Sequence, residues 1–373
     1  MGKEGGSFLK LAFFGKYPSF PYFGIGGTNS LVRRLSIEMV SRHNIQVDHV
    51  AYGLRLEEEI THQTGLQSRH YRTLGASLEA LKNYDHVITV YLPPRDLLTY
   101  MRFRTRYGSK IRFHMLHQSW PESAIKRNLI FALDSLVPFN GQTFSVSPRL
   151  MHHTQHYTNQ AALLLPPVPT DYFIRLSEKP SSDKIRVTFL GRIDPGKGIP
   201  EVIKIFCTLA DYHQVQPVVH GIFWEENSTA VELHNKLLHQ NRFQYVPCKW
   251  TDYSNETEDM IRTVLKDTDI LVLPYRRLSS TIDTPLLLLE AMASLCAVIT
   301  KPYGNIPNIY GKSPCLMDNP DFIEKAVKII ASAKEWLPYE RERIAHRTTS
   351  LVFDTASVTK HLVDTLRASK RFA

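Results

Sequence analysis

An apolar run, Ile185–Leu190, breaks into the octet Gly191-Arg192-Ile193-Asp194-Pro195-Gly196-Lys197-Gly198 and then into a helix-like stretch, Ile199–Leu209. Strand, glycine-rich turn and helix in direct succession open a parallel α/β unit, so this junction restricts the fold class more than any other segment. It also restricts the ligand. Two fixed cations, Arg192 and Lys197, stand on a turn at a helix N-terminus, which is a natural cradle for a diphosphate. Small residues admit the backbone, amides face the anion and the side chains neutralise it. The octet nearly spells the G-x-x-x-x-G-K-[S/T] phosphate loop, but residue 198 is glycine, so the hydroxyl that would hold Mg²⁺ is missing.

The same alternation of strand and helix patterns runs from end to end. Strands are expected at Leu9–Phe14, Gln46–Tyr52, His86–Tyr91, Lys110–Leu116 and Thr143–Ser147, then at Arg186–Leu190, Gln216–Gly221, Gln244–Pro247, Asp269–Pro274 and Ala297–Lys301. Helical patterns between them include Ser30–Ser41, Ala76–Lys82, Pro200–Ala210, Thr229–His239, Glu256–Leu265, Pro285–Leu295 and Pro320–Ser332. This reads as an α/β chain of two Rossmann-like, doubly wound parallel-sheet domains facing across a cleft. The best linker signals are Leu165–Thr170 and Ser177–Asp183. They divide the chain into an N-terminal domain at 1–170, a C-terminal domain at 171–354 and a final helix at 355–373 that packs back toward the first domain. Ligands of open parallel sheets sit at the carboxyl ends of the strands, so chemical residues are sought just after strands.

With 373 residues and 43% hydrophobic content the chain has enough apolar surface for two cores. No run reaches the ~18 apolar residues of a membrane span, and MGKEGGSFLKLAFFG reads as a first strand, not a signal or a myristoylation site. Cys207, Cys248, Cys296 and Cys315 have no metal-like spacing and read as reduced core residues of a cytoplasmic protein, so the sequons at Asn227 and Asn255 carry no meaning. The net charge of +9 is uneven: residues 1–170 hold 19 Lys+Arg against 11 Asp+Glu. The excess concentrates in Tyr100–Arg112, where arginines alternate with aromatics. Such a segment suits an anionic lipid surface or nucleic acid, and equally a solvated helix end leading into a strand.

The second strong signal is Thr284-Pro285-Leu286-Leu287-Leu288-Leu289-Glu290-Ala291-Met292-Ala293. Thr284 at the cap and Pro285 at the first helical position make a helix start. Glu290 is the only charge between Pro285 and Ile299, and a lone acid there costs several kcal/mol unless it meets hydroxyls or a cation. It either pairs with an arginine such as Arg192 or binds a ligand. These segments, with Asp269–Pro274, Ala297–Ile299 and Gly304-Asn305-Ile306-Pro307, resemble the C-terminal domain of retaining GT-B glycosyltransferases of glycosyltransferase family four (group 1). In the first half, Gly26-Gly27-Thr28-Asn29, His117-Gln118, Ser145–Ser147 and Leu165–Asp171 resemble the family more loosely.

The resemblance implies roles. Arg192 and Lys197 hold the diphosphate of a nucleotide sugar and stabilise charge on the leaving nucleotide without a metal. Glu290 bonds the ribose hydroxyls, and amides near Thr284, Pro285 and Leu286 add a helix dipole. His117 contacts the donor sugar, while Gly26, Gly27 and Gly191 let backbone approach the donor. The family's other acid, eight residues before the ribose-binding Glu, falls on Ile282; Asp283, one residue later, either replaces it or caps the helix. His114 reads as packing, Met151–His156 as surface helix without metal, and Lys249-Trp250 as neighbours of the base.

The phosphate-loop triphosphatase reading fails on Gly198 and on the placement of Asp269 at the start of its strand. The expectation is therefore a hexosyltransferase of glycan, glycolipid or cell-envelope polysaccharide synthesis, with a silent partner subunit or an epimerase as alternatives. Its donor is a nucleotide-diphosphate sugar, its acceptor lipid-linked or glycan, and it needs no cofactor, metal or nucleic acid. The basic first domain points to a peripheral position at the inner face of a membrane.

Overall fold

The computed structural model describes residues 9–16, 26–53, 57–61, 66–119, 125, 128, 140–155, 160–180, 182–223, 227–249, 255–276, 281–318 and 320–369. The chain divides into two compact units, one formed by Met1–Pro167 with Phe353–Ala373 and the other by Val168–Val352.

The first unit holds an eight-stranded sheet in the order β3-β4-β2-β1-β5-β6-β7-β8. Its strands are β1 (Lys10–Lys16), β2 (Gln46–Tyr52), β3 (Glu58–Thr61), β4 (Gln67–Tyr71), β5 (His86–Tyr91), β6 (Arg112–His117), β7 (Thr143–Ser145) and β8 (Ala161–Leu163). Every pairing is parallel except β3 with β4, so the sheet is mixed at one edge and not the purely parallel sheet the alternation suggests. Strands β3, β4 and β8 escape sequence inspection because they are short and edge-placed, with too few residues to show a period. Helices α1 (Gly27–His43), α2 (Leu74–Leu81), α3 (Leu97–Tyr107) and α4 (Pro148–Gln155) connect them.

Two cores lie on opposite faces of this sheet. One joins Leu11, Phe13, Ile88, Val90 and Leu116 to Leu31 and Leu35 of α1. The other joins Phe14, Val87 and Phe113 to Tyr100 and Phe103 of α3. The alternation of β1, with Phe13 on one side and Phe14 on the other, is what a strand covered on both faces requires.

The second unit holds a five-stranded, all-parallel sheet in the order β11-β10-β9-β12-β13. Its strands are β9 (Ile185–Arg192), β10 (Val215–Phe223), β11 (Gln244–Lys249), β12 (Ile270–Leu273) and β13 (Ala297–Thr300). They alternate with α5 (Ile199–Leu209), α6 (Ser228–His239), α7 (Asn255–Asp267), α8 (Leu286–Ala293), α9 (Ile306–Tyr310), α10 (Phe322–Ala331) and α11 (Ala333–Ser350). The order reverses between β9 and β12, and such a switch point opens a crevice at the carboxyl ends of those two strands.

Segment 177–183 is not a linker. Its Lys179 is buried, and the ammonium donates to the carbonyls of Leu265 (3.2 Å) and Ser294 (2.8 Å) inside the second unit. The chain re-enters the first unit at Phe353, and α12 (Thr355–Ser369) packs on α1, burying Val358, Leu362, Val363 and Leu366. Cys296 and Cys315 are buried free thiols, whereas Cys207 and Cys248 are only half-buried, a correction to the reading of all four as core. Among the described residues no helix is long and apolar enough to cross a membrane.

Candidate active site

The turn after β9 is built from its own sequence. Asp194 stays extended and its carboxylate accepts the Gly196 amide at 2.6 Å, an Asx-type brace for the 3₁₀ turn Pro195–Lys197. The Lys197 amide donates to the Asp194 carbonyl and the Gly198 amide to the Pro195 carbonyl. Three amides of the octet, those of Gly196, Lys197 and Gly198, are thus used to hold the turn. Gly198 has φ +83°, and a Cβ there would lie 2.2 Å from the Pro274 carbonyl oxygen. The missing hydroxyl therefore has a packing cause: β12's exit runs so close to the turn that no side chain fits at 198.

Pro274 also delivers Tyr275 and Arg276. The Arg276 amide donates to the Gly196 carbonyl at 3.1 Å, and its guanidinium meets Glu201 of α5 at 2.7 and 3.0 Å. Lys301, after β13, stands 3.9 Å from the same carboxylate. This brace fixes the turn against the exit of β12. Tyr275 is buried, and the ammonium of half-buried Lys197 sits 4.8 Å above its ring centroid. Burial, then the charge of Arg192, lowers the Lys197 ammonium to about 7, with Asp194 acting in the opposite direction. Burial also raises the Tyr275 hydroxyl, aided by the charge of Glu290 and opposed by that of Arg192. Arg192 itself is exposed at the carboxyl end of β9.

Four groups therefore share one field at the switch point: Arg192, Lys197, Tyr275 and Glu290. Tyr275 was not singled out from sequence, although its position two residues past an apolar strand is where such residues sit.

Glu290 is 4% exposed, in a helix whose Leu288, Leu289, Ala291 and Met292 are fully buried. Its helix starts differently from the expectation. Pro285 is the N-cap and α8 begins at Leu286; the Thr284 hydroxyl accepts from Asn305 Nδ2 at 2.8 Å. The proline ring cannot donate, so it stands where the first free carbonyl is needed, and Thr284 serves the neighbouring loop. Asp283 is buried, and its carbonyl receives the Asn305 amide at 3.0 Å. Ile282 is half-buried beside it. The first-turn amides of α8, at Leu286 and Leu287, have no carbonyl of their own helix to bond. Gly191 has φ +148° with ordinary space around its Cβ position.

In the first unit, His117 ends β6 and is buried. Its neighbour Gln118 accepts from the Thr28 hydroxyl of α1 and donates to the Val90 carbonyl of β5 at 3.4 Å. The start of α1 is thus tied to the exits of β5 and β6, at the reversal of strand order between β1 and β5. Gly26 is the extended N-cap of α1 (φ 170°) and Gly27 its first residue; open space surrounds the Cβ position of Gly26, so the fold itself does not demand glycine there. His114 is packing: its Nδ1 accepts the Gln142 amide at 2.8 Å and its Nε2 meets His86 at 2.9 Å. Burial lowers its pKa well below that of an ordinary histidine. His152 and His153 are exposed on α4, with ring centroids 6.2 Å apart. His156 and Trp250 lie outside the described residues.

Two doubly wound α/β units, one carrying a cationic turn at its switch point, define a GT-B protein. The fold matches a glycosyltransferase from Rickettsia africae at TM-score 0.69 and 10% identity, covering 99% of this chain and all of the other. It also matches Anabaena HepE, solved in complex with UDP-glucose, at TM-score 0.67 and 14% identity over 96% and 100% of the two chains. A lipopolysaccharide outer core galactosyltransferase, WaaB, follows at TM-score 0.59 and 14% identity over 96% and 99%. No curated protein matches by sequence. Residues 184–332 match the family Glycosyl transferases group 1.

Proposed function

We propose that the protein transfers a sugar from a nucleotide-diphosphate sugar to a hydroxyl acceptor with retention of anomeric configuration. The observation that carries this reading is the convergence of Arg192, Lys197, Tyr275 and Glu290 at one switch point. Arg192 and Lys197 bind the diphosphate and stabilise the negative charge that grows as the sugar–phosphate bond breaks, work a divalent cation performs in other sites. Lys197 at about 7 is poised for this, since an arriving anion restores its proton. Glu290, buried in α8, accepts from the ribose hydroxyls, on the strength of the family resemblance. The first-turn amides of α8, at Leu286 and Leu287, face the phosphates, and Thr284 and Pro285 shape that approach. Asp283, Gly26, Gly27 and Gly191 border the donor, and His117 contacts the sugar, on the strength of the family resemblance.

In the transfer, the bond from the anomeric carbon to the leaving diphosphate breaks as the acceptor oxygen bonds on the same face. The acceptor proton passes to the leaving phosphate oxygen, so no protein base is required. Neither a metal nor another cofactor enters this scheme. A lipid-linked or glycan acceptor, with peripheral contact at an anionic membrane face, fits the basic first unit and a role in glycan, glycolipid or polysaccharide synthesis.

UDP-glucose, the ligand of the Anabaena protein, is the first donor to test. A panel of nucleotide sugars is screened for thermal stabilisation and slow hydrolysis, with Glu290→Gln and Lys197→Ala alongside. Stabilisation by one donor, lost in both variants, supports the reading. Donors that stabilise wild type and both variants alike would overturn the site.

A further inference from the structure

The first unit contains a pocket that the proposed chemistry does not use. It lies between α3 and the sheet, with a volume of about 90 Å³. Val90, Leu92, Pro94, Leu97, Met101 and Met115 supply apolar walls. Of the polar residues at its edge, Thr89 and Tyr100 bond each other at 2.6 Å. The charged wall is Arg104, buried and held 5.6 Å over the Tyr100 ring. Pockets that enclose a drug-sized molecule span about 300–1,000 Å³, so this one admits neither a nucleotide nor a sugar. Its size and walls suit the end of a hydrocarbon chain.

Its surroundings state what the chain is attached to. Leu98, Arg102 and Arg106, at i, i+4 and i+8, form one outward stripe of α3, continued backward by Arg95. All four are exposed, Leu98 by 61%. Tyr91, another pocket residue, is 44% exposed. Asp96, the acid within this stretch, is held by the Tyr52 hydroxyl at 2.8 Å and by Lys16 at 3.6 Å, with exposed Arg95 4.0 Å from the same oxygen. An apolar pocket beside an arginine stripe with an exposed leucine complements a hydrocarbon chain carrying an anionic head. The pocket is also near the chemistry of its own unit. Phe113, Met115 and His117 alternate onto one face of β6, and the Val90 carbonyl of the pocket wall accepts from Gln118. A chain seated here leaves its head group on the side of the sheet where His117 ends β6.

We propose that this pocket takes the hydrocarbon chain of a phosphate-bearing lipid acceptor, with Arg95, Arg102 and Arg106 drawing the anionic head. The proposal rests on the transferase reading and narrows its acceptor to an anionic lipid. Dodecyl phosphate, held below its micelle concentration, is the probe, and calorimetry on the full chain the measurement. Dodecyl phosphate binds, while inorganic phosphate and an uncharged dodecyl glycoside bind at least tenfold more weakly. Met101→Trp fills the pocket and lowers dodecyl phosphate affinity at least tenfold; Leu97→Trp, nearer the surface, does the same if Met101→Trp does not fold. Arg102→Glu/Arg106→Glu, on the exposed stripe, lowers affinity several-fold and flattens its salt dependence.

Thermal stabilisation by a nucleotide sugar, read on the same samples, stays unchanged in every variant. Unchanged dodecyl phosphate binding in the filled variants overturns the pocket while leaving the donor reading intact. Loss of donor stabilisation in wild type overturns the transferase reading instead. Vesicles of phosphatidylcholine with phosphatidylglycerol bind equally to wild type and Met101→Trp. Loss of vesicle binding in that variant assigns the pocket to bulk lipid and overturns its assignment to the acceptor.

Discussion

Each unit reverses its strand order at one point of its sheet, and the two differ in how firmly the fold dictates the residues found there. In the second unit, each element of the turn at 191–198 has a stated cause: Asp194 braces it, Arg276 and Glu201 clamp it, and Gly198 clears the Pro274 carbonyl. In the first unit, Gly26 has room for a side chain, and His117 is one of several buried histidines in or beside strands. His49 bonds Ser36 at 2.9 Å, and His86 pairs with His114. The comparison teaches that a site residue is recognisable when its surroundings are unusual for its type. A buried acid among leucines is unusual; a buried histidine in this unit is ordinary.

The sharpest way to break the contrast is to give the turn its missing hydroxyl. Gly198→Ser imposes φ +83° on a side chain and drives its Cβ into the Pro274 carbonyl. Backbone strain alone costs about 1–3 kcal/mol, and the clash adds to it. The expected result is a fall in Tm of many degrees with loss of donor stabilisation, rather than a gain of Mg²⁺ binding. Gly26→Ala, at the equivalent loop of the first unit, leaves Tm within a degree or two, because its Cβ meets nothing closer than Asn29 at 4.0 Å. Equal losses in both variants would erase the distinction between the units.

Next in size is removal of the ammonium. Lys197→Ala lowers kcat by about 10²–10³, the range for deleting one preorganised charge stabiliser. Wild-type donor affinity is highest below pH 7 and declines above it, since Lys197 titrates near 7 and only its charged form pairs with the diphosphate. Nucleotide-sugar diphosphate itself gains or loses no proton over this range. Titration calorimetry from pH 6 to 9 reads the slope, and a flat profile would exclude Lys197 as a ligand.

These contrasts also mark what the sequence made legible. The β-α alternation, the cationic turn and Glu290 were readable because each rests on a local pattern: an apolar run, a glycine spacing, a charge where none belongs. The antiparallel edge strand β3 was not, because four residues carry no period. The N-cap falls on Pro285, and the bond from Asn305, 21 residues on, to the Thr284 hydroxyl is one that a local rule for helix starts does not show. Tyr275 was missed because an aromatic after an apolar strand reads as more core until Lys197 is seen above its ring. Long-range partners of this kind have no signature in a single sequence.

A smaller test separates the histidines. His114→Ala leaves the Gln142 amide and His86 without their partner in a buried site, at a cost of about 1–3 kcal/mol, with turnover of the folded fraction unchanged. His117→Ala changes Tm less and lowers kcat. Chemical denaturation and steady-state rates on the two variants sort packing from contact; the opposite pattern would exchange their roles.

The last test concerns the cost the second unit carries for its readiness. Lys197 titrates at about 7 in the fold against 10.5 unfolded. Below pH 7 both states hold the proton, and the fold bears the full penalty of a desolvated ammonium. Between pH 7 and about 10.5 the unfolded chain binds more protons, so this group's contribution rises with pH through that window. Lys197→Met keeps the apolar stem over Tyr275 and removes the charge. Its Tm should exceed wild type at pH 6, and the gain should shrink toward zero by pH 10, as measured by calorimetry without donor. Adding the nucleotide sugar should reverse the order at pH 6, because only wild type then pairs the charge. A Lys197→Met gain independent of pH would mean that the ammonium is not strained in the free protein, and that the turn stores no electrostatic readiness for the diphosphate.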